Sequence, residues 1–182
     1  MSLFNRRLLI LSLAALAGCG FSPALAPGTA ARSLLGAIEV AAPTNRNSFD
    51  LAKQLELNLG PANSPRYALR YDLGTSTAGV AITSSQETTR YHITGKANFS
   101  VLDLSSGTVV SSGRVQGFSA YSATGSTAAT LSARDDAYAR LMVQLADQIT
   151  TRLSATAASW AGSAAGSGAG SVAGSVAETA GE

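Results

Sequence analysis

Residues 66–73 read Arg66-Tyr67-Ala68-Leu69-Arg70-Tyr71-Asp72-Leu73. The large apolar side chains fall on 67, 69, 71 and 73 with Arg70 and Asp72 between them, the period of two that belongs to a strand burying one face. A Thr/Ser-rich stretch, 74–85, either extends this strand or loops out. Downstream, Tyr91, Ile93, Ala97, Phe99 and Val101 alternate with Arg90, His92, Thr94, Lys96 and Asn98. Residues 103–107 supply a turn, and 108–121 return as a further strand with Val109, Val115 and Tyr121 in phase. The two runs make a hairpin. Upstream, residues 36–40 form a short strand ended by Pro43, and Asn45, Asn47 or Ser48 caps a helix over 48–58. That helix carries Leu51, Ala52, Leu55 and Leu59 on one face and is stopped by Gly60 and Pro61. The clearest helix is the last. It opens at Ser132, with Asp135 and Asp136 in its first turns. Tyr138, Leu141, Met142, Leu145, Ile149 and Leu153 share its apolar face. The order strand, helix, three strands, helix predicts an α+β fold. Two helices pack on one face of a roughly four-stranded, mostly antiparallel sheet, a two-layer sandwich whose other face is open to water or a partner.

Both ends of the 182-residue chain differ from this middle. Residues 1–18 begin with Arg6 and Arg7, run mostly apolar from Leu8 to Ala17 and close on small residues, the layout of a secretory signal peptide. Next comes the chain's one cysteine, in Leu16-Ala17-Gly18-Cys19, which resembles the lipobox of bacterial lipoproteins. That resemblance implies a diacylglyceryl group on the Cys19 thiol, cleavage before it and acylation of the new amine. Several acyl chains anchor stably where one is marginal. Gly20, rather than Asp, follows the cysteine, which in Gram-negative lipoproteins implies the periplasmic side of the outer membrane. Residues 19–35 read as a lipidated N-terminus and linker, 36–153 as the folded domain. Residues 154–182 read as an Ala/Gly/Ser-rich tail with little apolar area to offset the entropy of ordering. Disorder or a frayed helical extension is expected there, the functional alternative being a partner-binding tail built around Trp160.

Composition excludes several classes. One Cys makes no intramolecular disulfide, and one Cys with one distant His gives too few soft ligands for a structural zinc site. Removing Arg6 and Arg7 from the 13 basic residues leaves 11, equal to the 11 acidic ones, so the mature chain is formally neutral. Net charge therefore gives no support for nucleic-acid binding. His92 lies among polar strand positions with no Ser or Asp arranged for nucleophilic catalysis, and Asp135-Asp136 diverge by about 100° on a helix. Gly74-Thr75-Ser76-Thr77 and Ser105-Ser106-Gly107 lack a phosphate-loop lysine. No enzyme activity and no cofactor beyond the covalent lipid are expected. The basic residues Arg66, Arg70, Arg90, Lys96 and Arg114 all fall on strands. If those strands are neighbours, cations converge on the exposed sheet face and can contact phosphates through charge-assisted hydrogen bonds. A solvated face that discourages edge pairing is the alternative.

With these elements assembled, the chain resembles the LPS-assembly lipoprotein family, LptE (RlpB). Cys19-Gly20-Phe21-Ser22-Pro23 is similar to the start of the mature family members, and Tyr67-Ala68-Leu69-Arg70-Tyr71 to their first long strand. Residues 145–153, from Leu145 to Leu153, are similar to their final helix. Ala24-Leu25 departs from the Leu-Tyr often found there, and the tail has no counterpart. The resemblance implies a two-helix, roughly four-stranded sandwich that inserts into the outer-membrane β-barrel LptD. There it serves as plug and assembly aid for lipopolysaccharide delivery to the outer leaflet, touching lipopolysaccharide through basic residues. A neutral, charge-poor domain suits the polar lumen of a large barrel. An auxiliary lipoprotein of an ABC-type lipid or solute transport system, and an anchored periplasmic hydrolase, are the competing readings.

Overall fold

The computed structural model describes residues 26–82 and 88–161. Residues 1–25, with the expected signal peptide and Cys19, residues 83–87 and residues 162–182 lie outside them. The elements are α1 (Ala30–Ser33), β1 (Ile38–Val40), α2 (Arg46–Leu59), β2 (Tyr67–Ile82), β3 (Thr88–Asp103), β4 (Val109–Ser122) and α3 (Thr127–Trp160). The strands form one sheet in the order β1-β2-β3-β4. Because α2 carries the chain from β1 to β2, those two run parallel, whereas the direct connections make β2–β3 and β3–β4 antiparallel. The expected α+β architecture is what forms, with both long helices contributing to the same core.

Local chemistry sets the boundaries. The Asn45 side chain accepts from the Ser48 N–H at 2.9 Å, and the Ser48 hydroxyl oxygen accepts from the Asn45 N–H at 2.8 Å. This reciprocal cap starts α2, and Gly60, at φ 79°, ends it. At the β3–β4 turn the Asp103 carboxylate accepts from the Ser105 N–H at 2.8 Å and from the Ser105 hydroxyl at 2.5 Å. Gly107, at φ 68°, closes the loop by donating to the Asp103 carbonyl. These donors hold the Asp103 carboxyl below the usual aspartate range: the Ser105 hydroxyl contributes most, and the positive charge of Arg66 acts in the same direction.

The odd-numbered side chains of β2 to β4 face the helices. Tyr67, Leu69, Ile93, Ala97, Phe99, Val101 and Val115 meet a helical stripe of Ala137, Leu141, Met142, Leu145, Ile149 and Leu153, all buried. Leu51, Leu55 and Leu59 of α2 complete the core. Glycine permits the close approach: a Cβ on Gly95 would lie 3.0 Å from side-chain atoms of both Leu141 and Leu145.

Four expectations need correction. First, α3 begins at Thr127 under a Ser126 cap, not at Ser132, because the small residues of its first turns carry no apolar stripe to signal a helix. Second, the packed helix does not stop at Leu153. It continues to Trp160, whose ring is 8% exposed and stands edge-on to Tyr67 at 5.1 Å, so residues 154–160 belong to the domain. Third, the linker is ordered in part: α1 places Ala31 and Leu34 in the core. Fourth, Val109 is out of phase with Val115. The register shifts between Val101 and Leu102, turning Val109 outward to 59% exposure and Val110 inward against the core.

Candidate functional site

The even-numbered side chains of β2 to β4 form the open face. Register fixes its rows: Arg70, Ser100 and Ser112; then Asp72, Asn98 and Arg114; then Gly74, Lys96 and Gln116; then Ser76, Thr94 and Phe118; then Ala78, His92 and Ala120. Arg70, Arg114 and Lys96 therefore stand on three adjacent strands in three successive rows, each exposed. Lys96 and Arg114 are diagonal neighbours, separated by about 7–8 Å on such a lattice and close enough to share one phosphorylated ligand, whereas Arg70 stands two rows from Lys96 and two strands from Arg114. The Arg114 Nε donates to the Asn98 Oδ1 at 2.7 Å, which fixes the guanidinium on the sheet surface. Among the described residues the only ion pair is Arg134 with Asp135, at 3.3 Å, so no carboxylate contact neutralises these three cations.

The other two candidate cations go elsewhere. Arg66 lies at the end of β2 with its guanidinium carbon 5.3 Å from the Tyr67 ring centroid, on the Asp103 side of the domain. Strand parity alone placed it with Arg70; being the residue before the strand, it turns back over the ring instead. Arg90 lies at the far end of β3 and lines an open cleft of about 310 Å³ with Tyr121, Ser122, Asp136 and Arg140. Tyr91 stacks on Tyr121 there at 5.1 Å, and burial pushes the Tyr121 hydroxyl up from its ordinary pKa. Arg140 joins this cleft from the polar side of α3, and only the three-dimensional docking of helix on sheet reveals that proximity.

One apolar contributor to the open face escaped the sequence reading. Phe118 is 68% exposed in the row above Lys96, with the His92 ring 6.5 Å away. Exposed phenylalanine beside lysine and arginine gives an amphipathic surface, suited to a ligand that joins anionic groups to hydrocarbon. His92 sits among these polar side chains without a catalytic partner. No group of three metal-ligating side chains occurs among the described residues, and no helix among them is long and apolar enough to cross a membrane.

The sequence matches the family LptE, lipopolysaccharide-assembly, over residues 35–153, most of the chain and nearly all of the folded domain. The chain belongs to the LptE family. One solved structure agrees with the fold, and two others are similar at lower scores. A lipoprotein of Caulobacter crescentus is 23% identical, covering 70% of this chain and 96% of its own, with a TM-score of 0.59. The rare lipoprotein B of Shewanella oneidensis is 14% identical over 66% of this chain and 93% of its own, at 0.49. A minor lipoprotein of Acinetobacter baumannii is 19% identical over 65% and 89%, at 0.48. No curated protein matches the sequence. Family membership makes the chain a lipopolysaccharide-assembly lipoprotein of the Gram-negative envelope, working with the lipopolysaccharide transport machinery. The LptE match ends at Leu153, whereas α3 continues to Trp160.

Proposed function

We propose that this LptE-family chain is held on the periplasmic side of the outer membrane by lipid on Cys19. In this reading it plugs and helps assemble the β-barrel LptD and assists lipopolysaccharide delivery to the outer leaflet without catalysing a reaction. The family match carries the reading, and the open face supplies its chemistry. Arg70, Lys96 and Arg114 meet the phosphates of lipopolysaccharide, and Phe118 meets the hydrocarbon beside them. Guanidinium groups suit this role because their fork of N–H donors fits phosphate oxygens bidentately. The Ser, Thr, Asn and Gln side chains elsewhere in these rows match the polar wall of a barrel lumen, where a large apolar face would not.

Binding of purified lipopolysaccharide to the detergent-solubilised protein tests the face. A charge-assisted hydrogen bond contributes about 1.5–3 kcal/mol, so Arg70→Asp should weaken binding on the order of tenfold or more while leaving the helical circular dichroism unchanged. Lys96→Glu should do the same. Unchanged binding in both variants would return these residues to an ordinary solvated sheet face.

A further inference from the structure

The two long edges of the sheet are treated differently. On β4 the edge is closed by α3: Gln148 Nε2 donates to the Gln116 carbonyl at 3.1 Å, and Arg140 Nη2 to the Ala120 carbonyl at 3.4 Å. Gln144 crowds the same strand, its Oε1 standing 2.6 Å from where a Cβ on Gly117 would be. A strand approaching β4 meets carbonyls already in use.

On β2 the last helix meets a side chain, Thr77 Oγ1 lying 3.0 Å from the Tyr138 hydroxyl, and among the described residues no side chain caps a main-chain group of this edge. β1 covers only Tyr67, Ala68 and Leu69, and the pairing ends where the Ala41 N–H donates to the Leu69 carbonyl at 2.9 Å. The Tyr67 N–H donates to the Ala37 carbonyl on that same side, so the odd-numbered residues of β2 direct both main-chain groups toward the β1 edge. Continuing the alternation, the N–H and C=O groups of Leu73, Thr75 and Thr77 face outward, and no main-chain partner for them occurs among the described residues. Every residue from Gly74 to Val80 is exposed. The stretch Leu73-Gly74-Thr75-Ser76-Thr77-Ala78-Gly79-Val80 contains no lysine, proline or inward-pointing charge to protect a free edge, and the bulge of β2 begins only after Gly79. Its side chains are mostly small on both faces, which leaves room for larger ones on a strand laid beside it.

We infer that the β2 edge from Leu73 to Gly79 is a docking site for an extended segment of a partner polypeptide, added as a further strand and carrying an acidic side chain level with Gly74. Charge selects that occupant. The charged groups facing this part of the edge are Arg70 and Asp72 on β2 and Lys96 on β3. Gly74 has no side chain and lies directly between the edge and Lys96. A glutamate on the added strand therefore reaches across Gly74 toward the Lys96 ammonium, a span of about two strand spacings, roughly 10 Å between backbones. Asp72, one row away, disfavours a second acid beside it. A second copy of the chain would bring Arg70 along with Asp72, so its edge offers Lys96 no net acid. Main-chain hydrogen bonds supply the affinity and the Lys96 contact the selectivity, as in other strand-addition complexes. This site does not depend on the lipopolysaccharide reading.

Two capped nonapeptides probe it, Thr-Val-Thr-Val-Glu-Val-Thr-Val-Thr and its counterpart with lysine at the centre, added to the full chain in detergent. The glutamate peptide should slow amide exchange at Thr75 and Thr77 and bind at least tenfold more tightly than the lysine peptide. Lys96→Glu should reverse that order. Thr75→Pro removes an outward N–H without touching the β2–β3 ladder, and should abolish protection while the circular dichroism is retained. Equal affinities, absence of protection by either peptide, or protection without peptide that grows with protein concentration and a dimer in sedimentation would each overturn the proposal.

Discussion

Replacing Trp160 by alanine measures how far the domain extends. The indole is 8% exposed, meets Tyr67 edge-on at 5.1 Å, and donates from Nε1 to the Thr156 hydroxyl at 3.2 Å. Truncating a buried Phe or Trp to Ala costs about 3–5 kcal/mol, within which an aromatic pair accounts for about 0.5–1.5 kcal/mol. Trp160 is the last residue of its helix, where the chain relaxes more easily than mid-core, so the lower end, about 3 kcal/mol, is the expected loss. For a domain of this size, that corresponds to a fall in Tm on the order of 10 °C. Urea unfolding followed by circular dichroism should give a lower midpoint with the slope unchanged. A cycle with Tyr67→Leu should recover a coupling of about 0.5–1.5 kcal/mol for the ring pair. Because the chain has one Trp, its fluorescence is an independent report: emission should be blue-shifted in the folded protein and move to the red in urea. Truncation after Leu153 should destabilise at least as much as the alanine variant, and truncation after Ala161 should not. A fall in Tm below about 2 °C for Trp160→Ala, or red-shifted emission from the folded protein, would refute the packing argument.

Gly95→Val places a branched side chain against Leu141 and Leu145, and should cost about 1–3 kcal/mol in urea unfolding; a neutral result would mean that α3 rides higher on the sheet. The Asp103 carboxyl is held below its unfolded value, so its contribution is complete above about pH 3.9 and is lost as pH falls through the folded pKa. Asp103→Asn should therefore be less stable than the parent at neutral pH, with the gap narrowing below about pH 4; a gap independent of pH would contradict the hydrogen-bond origin of the shift. Cys19→Ala should leave an unlipidated precursor that is released from membranes by carbonate washing, and retention in the outer-membrane fraction would sink the anchor reading.

Much of the fold was legible in periodicity. The alternation at 67, 69, 71 and 73 and the stripe from Leu141 to Leu153 each record burial on one face, and burial is what the sheet and helix periods encode. Where burial leaves no periodic trace, the reading blurred. The first turns of α3 and the Thr/Ser-rich half of β2 are exposed and built of small residues, so neither shows a face; sequence left residues 74–85 as strand or loop, and pairing with β3 extends them to Ile82. Trp160 was hidden by the composition around it, since one aromatic among Ala, Gly and Ser shows no period although its ring is large enough to pack alone. Val109 was misplaced because a bulge shifts phase without changing composition. At the open face, register brings Arg70, Lys96 and Arg114 onto neighbouring strands, whereas strand parity alone pairs Arg70 with Arg66 and Arg90 with Lys96. Strand parity failed for Arg66, outside the strand, and it held no information on Arg140, which lines the same cleft as Arg90 only after the helix docks.

Affinity purification of the tagged chain from detergent-solubilised outer membranes tests the central claim most directly. A large outer-membrane β-barrel should co-purify in stoichiometric amount and be lost from the envelope when the chain is depleted. Recovery of periplasmic components of an ABC-type transport system, with no barrel present, would contradict the account.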